Sequence, residues 1–389
     1  MKYFKLFVCV VLIVALFSGC SFRLASSVND LISAVAPFGD NADVKSALDS
    51  FMTNGYSLKN PSSGEYITSY NFYDLDGDDK EEAVAFYEPN DNLGTIRMAI
   101  IKEYSGKWKV VSDITGYGDD AYRLDFADVN NDGKDEILVC WNTISNSNSH
   151  SFVVYNIKFE DKKFVINQIN NEDIYLNNYI IVDFKQNGNN EILMFEINSG
   201  TKTSAKAELY SVNNNEFKLK GETKLDSRVI SYRNINVEKA EGDIRVYADA
   251  IGSNGASIRT EVIYWSNMYN SIVSPFYSYS TGRTSGTSRG CLVNSSDIND
   301  DDRIEIPTDA SLKKLPKNIK SLNWKIYNKT ILVHKAYSLY VIDDNYNIII
   351  PDEYFKNISA VYNSDLREMT VINKQTKNSV FSIMPVLKA

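Results

Sequence analysis

Histidine, cysteine and proline are scarce in this chain of 389 residues, which contains two, four and eight of them. The two histidines, His150 and His334, are too few for the imidazole clusters of zinc sites, and no Ser-His-Asp or phosphate-loop pattern is present. An asparagine- and serine-rich stretch predicts a solvated turn over 142–151 around His150, and an apolar run predicts that His334 is a buried strand residue. We therefore predict no catalytic residue from the sequence.

The few cysteines do not provide a disulfide framework. Cys140 lies in an apolar run and is predicted to be a small buried side chain, while the sequence leaves a bridge from Cys140 to Cys291 open. Acidic residues outnumber basic residues, which gives the chain a formal net charge of -9. The basic residues form no stripe along the sequence, so nucleic acid is not an expected partner. The 25 tyrosines and 18 phenylalanines beside only eight prolines suit strands joined by polar turns.

The chain begins with a short apolar run, from residue 6 to 17, which is too short to span a bilayer. Lysines precede it and Ser18-Gly19-Cys20 follows, which predicts a secretory signal over residues 1–19. This ending resembles the bacterial lipoprotein box, in which a cysteine after small residues becomes lipidated. The resemblance implies that Cys20 anchors the protein to the extracellular face of the bacterial cell membrane. An ordinary cleaved signal with an incidental cysteine is the alternative.

Residues 20–60 are predicted to form the tether and a helical lead-in. Within this segment, residues 28–35 and 43–52 have the apolar spacing of short amphipathic helices. The pattern changes after about residue 60, where runs typical of strands begin.

Four segments of nine residues repeat one arrangement of acidic and amide side chains. Oxygen-bearing side chains stand at positions 1, 5 and 9 of each segment, and at position 3 in three of them. The segments, called loops 1 to 4 below, are 74–82, 128–136, 183–191 and 297–305. A single cluster of this kind is more often a solvated turn, but recurrence in register favours a ligand loop.

Such loops suit a hard divalent cation, which takes about six to eight oxygen ligands from a tightly curled backbone. The predicted calcium ligands are four side chains and the position 7 carbonyl: Asp74, Asp76, Asp78, Lys80 and Glu82; Asp128, Asn130, Asp132, Lys134 and Glu136; and Asp297, Asn299, Asp301, Arg303 and Glu305. In loop 3, Lys185 stands at position 3, and its ammonium is predicted to replace the cation between Asp183 and Glu191. An EF-hand is the competing interpretation, but it requires a glutamate at position 12, where strand-like apolar runs stand here.

The spacing between the loops also indicates a structural repeat. They start at 74, 128, 183 and 297, so the intervals are 54, 55 and 114 residues, and the last is close to two periods. A degenerate copy without ligands is therefore predicted at 237–243. Each period contains four strand-like runs, the size of a propeller blade, and so small a sheet must stack on its neighbours. The fold predicted for 61–389 is an all-β propeller of about six four-stranded blades, or seven if the end contributes a split blade.

Acidic loops that lie between two strands once per blade resemble the FG-GAP or VCBS repeat propellers, which include the integrin alpha-subunit head and many bacterial surface proteins. With its lipoprotein-like start and its 297–307 segment, the chain looks like lipoproteins with such repeats from Gram-positive, clostridium-like bacteria. The resemblance implies structural calcium at blade edges, held by loops 1, 2 and 4. It rests on the acidic loop and the period, because the Phe-Gly and Gly-Ala-Pro words of the repeat are not clearly present.

These features favour a membrane-anchored propeller that binds a protein or glycan partner without turnover. The alternative is an extracellular polysaccharide-active enzyme, a lyase or hydrolase that uses the propeller channel. The best predicted ligand site is an aromatic strand and long polar loop between 264 and 291, and its alternative is a mobile inter-blade loop whose aromatic side chains cover the core. The candidate residues combine stacking surfaces with forked donors: Trp265, Tyr277, Tyr279, Arg283 and Arg289.

Overall fold

The structure is a computed structural model that describes residues 39–143, 146–160, 163–169, 173–197, 205–213, 216–240 and 242–385. The predicted signal peptide, Cys20 and the first predicted helix at 28–35 lie outside these residues. The lipid anchor and the membrane location therefore stay predictions. Within the described residues, every helix is too short or too polar to cross a membrane.

Helix α1 (Asp40–Phe51) forms where the apolar spacing predicted the second helix of the lead-in. Asp40 and Asp43 lie in its first turn, where negative charge complements the positive end of the helix dipole. Val44 and Leu48 are fully buried and pack with sheet 1. Burying such side chains contributes about 1.5 to 3 kcal/mol each, which holds the helix on the sheet.

The remaining described chain is mainly β and forms six antiparallel sheets in chain order with one two-stranded hairpin. Sheet 1 contains β1 (Tyr56–Lys59), β2 (Asn71–Tyr73), β3 (Glu82–Pro89), β4 (Arg97–Tyr104) and β5 (Lys107–Thr115). Sheet 2 contains β6 (Asp120–Ala127), β7 (Glu136–Thr143), β8 (Asn146–Glu160), β9 (Lys163–Gln168) and β10 (Ile174–Leu176). Their orders are β1-β3-β4-β5, with β2 on β3, and β10-β8-β7-β6, with β9 on β8.

Sheets 3 and 4 follow the same plan. Sheet 3 contains β11 (Asn178–Val182), β12 (Glu191–Glu196), β13 (Lys206–Asn213) and β14 (Glu216–Lys224) in that order. Sheet 4 contains β15 (Val229–Ala240), β16 (Asp243–Gly252), β17 (Ile258–Ser266) and β18 (Ser271–Val273), with β21 (Ser288–Arg289) also on β17. Between β18 and β21 in sequence, β19 (Tyr277–Ser278) and β20 (Arg283–Thr284) form the two-stranded hairpin.

Sheets 5 and 6 complete the described chain. Sheet 5 contains β22 (Glu305–Asp309), β23 (Ile319–Tyr327), β24 (Leu332–Val341) and β25 (Tyr346–Ile350). A short helix, α2 (Asp352–Phe355), leads to sheet 6, which contains β26 (Ile358–Asn363), β27 (Glu368–Asn373) and β28 (Ser379–Ile383). The strand-like runs identified in the sequence therefore form strands in each of the six sheets.

The inner sheets are buried on both faces because side chains alternate along each strand. In β3, Val84 belongs to the cluster shared with sheet 2, whereas Ala85 belongs to the cluster shared with α1. In β7, Val139 faces sheet 1 and Cys140 faces sheet 3. Further clusters join sheets 3 and 4, sheets 4 and 5, and sheets 5 and 6. Each sheet therefore packs on the next along the chain.

The two ends of this stack differ. Helix α1 covers the face of sheet 1 that points away from sheet 2. On sheet 6, the outward side chains of Val361 and Val380 are 48% and 56% exposed. Among the described residues, no hydrophobic cluster joins sheet 6 to sheet 1. Closure into a propeller and the number of blades therefore stay predictions.

Two points that the sequence left open are resolved by the structure. At 237–243, where a degenerate copy without ligands was predicted, β15 continues to Ala240 and pairs with β16, which begins at Asp243. Cys140 and Cys291 are both buried and free, so no bridge joins them.

Candidate metal centre

Loops 1 to 4 share one backbone conformation, with positive φ at positions 4 and 6. Position 4 is occupied by Gly77, Asn131, Gln186 and Asp300, with φ of 76°, 63°, 51° and 57°. Position 6 is occupied by Asp79, Gly133, Gly188 and Asp302, with φ of 64°, 86°, 82° and 62°. Positive φ is uncommon outside glycine, so its recurrence at the same two positions identifies the four loops as copies of one structure.

The aspartate at position 1 organises each loop. Its carboxylate accepts hydrogen bonds of 2.7 to 3.2 Å from the backbone N–H groups at positions 5 and 6 in all four copies. The side-chain oxygen at position 5 accepts from the N–H at position 7, at 3.0 or 3.1 Å. These bonds hold the tight curl that a ligand loop requires.

The glutamate at position 9 is buried in all four loops. Glu82, Glu136 and Glu305 accept from the backbone N–H at position 2, at 2.9, 3.1 and 3.0 Å. Burial raises the pKa of all three, to about 7 for Glu136. The second oxygen of Glu305, Oε1, is buried and has no hydrogen-bond partner among the described residues. Such an oxygen is costly to bury, and a cation in the loop would satisfy it, so these residues fit a metal ion.

In loop 1, three carboxylates could hold one metal ion. Oxygens of Asp74, Asp76 and Asp78 all lie within 4.8 Å of one another. Carboxylates are ligands for calcium, magnesium and manganese alike, so this geometry does not identify the metal.

An internal cation already lies beside this triad. Nζ of Lys102 is 3.0 Å from Asp76, 3.0 Å from Asp78 and 2.5 Å from Glu82. Burial disfavours the charge on Lys102, but its hydrogen bonds to these three carboxylates outweigh burial and raise its pKa. Lys102 was not predicted as a site residue, although a lysine within the apolar strand β4 was a visible signal in the sequence. It lies across the strands from Glu82, because Ala83 pairs with Ile101.

Loop 2 has an amide where loop 1 has the ammonium. Asn156 lies across from Glu136, and its Nδ2 donates to Glu136 Oε1 at 3.1 Å. Asn130 donates to the same oxygen at 2.6 Å and to Asp132 at 3.2 Å. Among the described residues, no lysine or arginine forms an ion pair with the carboxylates of loop 2. This loop therefore keeps its predicted ligand set without an internal competitor.

Loop 4 is intermediate between these two. Asn299 Nδ2 donates to Asp301 Oδ2 at 3.1 Å, and Lys335 lies 2.7 Å from that same oxygen. Both partners of this ion pair are about one-third exposed, where water competes for them. The pair is therefore weaker than the buried one in loop 1, and it leaves Glu305 Oε1 unpaired.

In loop 3 the ammonium of Lys185 does not take the cation's place. Its Nζ lies 4.2 Å from the ring centroid of Trp265, in a cation–π contact. Glu191 remains buried with Oε2 unpartnered among the described residues. The prediction that Lys185 bridges Asp183 and Glu191 is therefore wrong, because an aromatic ring of sheet 4 lies within reach of its ammonium.

The candidate ligand residues between 264 and 291 do not converge on one surface. Arg289 is 1% exposed, with Nη2 2.8 Å from Asp249, so its guanidinium is occupied inside the protein. Tyr279 is largely exposed and meets Tyr277 edge to face at 5.1 Å, while Arg283 is exposed on β20. Trp265 is covered by Lys185. The segment predicted as a long loop contains β19, β20 and β21.

His150 differs from its predicted surroundings, whereas His334 lies on a strand as predicted but is less buried than expected. His150 lies on β8 rather than in a solvated turn and is 3% exposed. Its Nδ1 is 3.0 Å from Asn142 Oδ1, and its ring stacks on Tyr122. His334 is half-buried on β24, with its two nitrogens 2.6 Å from Asn323 and 2.9 Å from Asp352.

Comparisons with known proteins add little to this geometry. No protein-family model matches the chain, and no curated protein matches it. Among solved structures, the chain is similar to an exotype rhamnogalacturonan lyase, YesX, with a TM-score of 0.32 and 10% sequence identity. The match covers 84% of this chain and 65% of the lyase, so the chain spans about two thirds of that protein's length. At this TM-score the match supports no conclusion about fold or activity.

Proposed function

We propose that this chain is a lipid-anchored, cell-surface β-propeller of about six blades that is stiffened by calcium and binds a protein or glycan partner without turnover. The lipid anchor is Cys20. The calcium ions lie in loops 2 and 4, and loop 1 takes one only when Lys102 moves away. The sugar or protein partner is held by surfaces of the blades.

The observation that carries the proposal is the common structure of the four loops. All four have the same positive-φ positions and the same carboxylate bonds to the backbone. Calcium is favoured over magnesium because each loop offers several oxygen ligands from the protein, whereas magnesium keeps most of its waters. The unpaired buried oxygen of Glu305 supports occupancy of loop 4. Glu191 of loop 3 has such an oxygen too, but loop 3 has Lys185 at position 3, where loop 4 has the oxygen ligand Asn299.

The propeller part of the proposal rests on the succession of sheets. Six sheets of three to five strands follow one another, and each shares a hydrophobic cluster with the next. This is the packing that blades require. Helix α1 covers one face of the first blade in this proposal, where the last blade of a fully closed ring would otherwise pack.

Binding is favoured over polysaccharide cleavage because the buried pair of carboxyl groups in sheet 4 and the turn before it is enclosed. This pair, Asp226 and Glu261, is fully buried. Asp226 accepts from Arg228 at 2.8 Å and also from Arg259. Glu261 accepts from Thr284 Oγ1 at 2.6 Å and from the N–H of Asp226 at 2.9 Å. Carboxyl groups held by internal partners do not reach a substrate, so we do not assign them acid or base roles.

Thermal unfolding with and without a calcium chelator tests the proposal. A site occupied at a hundredfold above its Kd stabilises the folded state by about 2.7 kcal/mol. We therefore expect the chelator to lower the melting temperature by several degrees and added calcium to restore it. A melting temperature that is indifferent to chelator and calcium would refute structural calcium.

A matched pair of variants separates metal binding from loop geometry. Asp128→Ala and Asp183→Ala each remove a carboxylate that accepts from two backbone N–H groups, so both lose the same internal bonds. Of the two loops changed in these variants, only loop 2 is proposed to bind calcium. We expect D128A to lose part of the response to the chelator and D183A to keep all of it. An equal loss in both variants would contradict the assignment of calcium to loop 2.

A further inference from the structure

A polar cavity of about 190 Å³ lies where sheets 2, 3 and 4 meet. It is lined by Tyr122, Asn148, His150, Asn177, Ile197 and residues 230–232. One water needs only about 10 to 15 Å³, whereas drug-sized ligands occupy about 300 to 1,000 Å³. The cavity therefore has room for one small ring rather than for a long chain.

His150 contributes an unused hydrogen-bond acceptor to this cavity. Its Nδ1 lies 3.0 Å from Asn142 Oδ1, and since an amide oxygen can only accept, Nδ1 carries the proton. Nε2 then has a free lone pair, and no described residue donates to it. The side chain is 97% buried, and burial lowers its pKa to about 4. His150 is therefore neutral at neutral pH and needs a donor from a ligand or from water.

The other walls of the cavity are held in place by internal contacts. The ring of Tyr122 stacks on His150 with centroids 3.5 Å apart and planes within 6°, which fixes the imidazole. Asn177 accepts from the N–H of Ile197 at 2.7 Å and donates to the carbonyl of Asn148. The ring of Tyr232 packs against Phe195, with ring centroids 4.8 Å apart. A site whose polar groups are already positioned loses little entropy on binding.

Among the described residues that line the cavity, none has a charged side chain, and this defines the class of ligand. The polar groups of the lining are amides, hydroxyls and a neutral imidazole, and its apolar groups are Ile197 and Ile230. A carboxylate or phosphate ligand would be buried without a cationic partner, which is costly. A neutral ring that offers hydroxyl donors and apolar C–H edges matches this set.

We propose that this cavity binds a neutral saccharide unit, one hydroxyl of which donates to Nε2 of His150. This inference deepens the glycan option of the proposed function and rests on it. The side chains that line the cavity select a neutral sugar over a uronic acid of the same size.

Titration with monosaccharides tests this assignment. D-glucose, D-galactose and N-acetylglucosamine serve as neutral probes, and D-galacturonate serves as the charged match of galactose. Imidazole ¹⁵N resonances of the full chain report on Nε2 directly. We expect at least one neutral sugar to shift the Nε2 resonance of His150 and galacturonate to leave it unchanged. If none of the neutral sugars shifts this resonance, or if galacturonate shifts it equally, the assignment is overturned.

Variants extend the test to affinity. His150→Phe keeps a flat ring on Tyr122 but removes the acceptor, and His334→Phe makes the same change on sheet 5. We expect H150F to weaken binding of the best sugar at least about tenfold and H334F to leave it unchanged. Wild-type affinity in a folded H150F would overturn the assignment. If H150F does not fold, the resonance titration of the unaltered protein decides alone.

The outcomes also separate this site from the proposed function. Retention of a polysaccharide by folded H150F would overturn the cavity assignment while leaving a glycan-binding module in place. A melting temperature that ignores calcium would refute the structural metal without affecting the sugar titration.

Discussion

Two buried carboxyl groups, Asp226 between β14 and β15 and Glu261 on β17, have pKa values shifted in opposite directions. Burial would raise the pKa of Asp226, but hydrogen bonds from Arg228 and Arg259 outweigh burial and lower it. For Glu261 burial dominates, and hydrogen bonds from Thr284 and the N–H of Asp226 offset it only in part, so its pKa rises to about 7. The guanidinium groups of Arg228 and Arg259 therefore donate to Asp226 and leave Glu261 without a bonded cation among the described residues.

This difference makes stability depend on pH through Glu261. Its pKa in the unfolded chain is about 4.3, so below that pH both states are protonated and no penalty arises. As pH rises from about 4.3 to 7, the unfolded chain ionises first and the folded state loses stability. We expect the free energy of unfolding of Glu261→Gln, measured in urea relative to that of the wild type, to increase by about 1 to 3 kcal/mol from pH 5 to pH 8.

An exposed residue provides the control for this prediction. Glu353 lies on the surface in α2, so Glu353→Gln removes the same charge without changing a buried group. Its stability relative to the wild type is expected to vary by less than about 0.5 kcal/mol over that pH range. If the stability of E261Q relative to the wild type depends on pH no more than that of E353Q does, Glu261 does not hold its proton in the folded state.

At the scale of single elements, loop 1 and strand β4 form a unit with a built-in cation. Lys102→Met would leave Asp76, Asp78 and Glu82 without their ammonium. We expect a loss of about 3 to 5 kcal/mol in chelator, because uncompensated charges are buried. Calcium should restore most of it by binding loop 1, and equilibrium dialysis should show one more bound ion than in the wild type.

The matched control for this variant is Lys335→Met in sheet 5. Its ammonium contacts Asp301 at the surface, where an ion pair contributes about 0 to 1 kcal/mol. K335M is therefore expected to change stability little in chelator. If K102M is equally unstable with and without calcium, loop 1 is a structural ion-pair cluster that excludes metal.

The loops and strands were predictable from sequence, whereas the partners of single side chains were not. Asp at position 1 and the period of 54 or 55 residues are local patterns, and the shared φ values show that the four segments were correctly aligned. Lys102, Lys185 and His150 were missed or misplaced because their partners come from cross-strand register and from neighbouring sheets. Register and sheet packing are not encoded in spacing along one segment.

At the scale of the whole molecule, each sheet is stabilised chiefly by the sheets next to it in sequence. In such arrays the free energy is approximately a sum of unit and nearest-neighbour interface terms. The sheet 1 end is covered by α1, while sheet 6 has neighbours on one face only among the described residues. Sheets near the second end therefore have fewer interfaces to hold them.

The rates at which the free thiols of Cys140 and Cys291 are alkylated provide a test of this asymmetry. Cys140 lies between sheets 2 and 3, in the interior of the stack, and Cys291 packs against sheet 5. Both are buried, and burial raises both thiol pKa values, so alkylation requires local opening. We expect iodoacetamide to modify Cys291 faster than Cys140, as read by peptide mass spectrometry. Equal rates would mean that the chain opens as one cooperative unit. The ratio of the two alkylation rates therefore reports the order in which the two regions of the stack open.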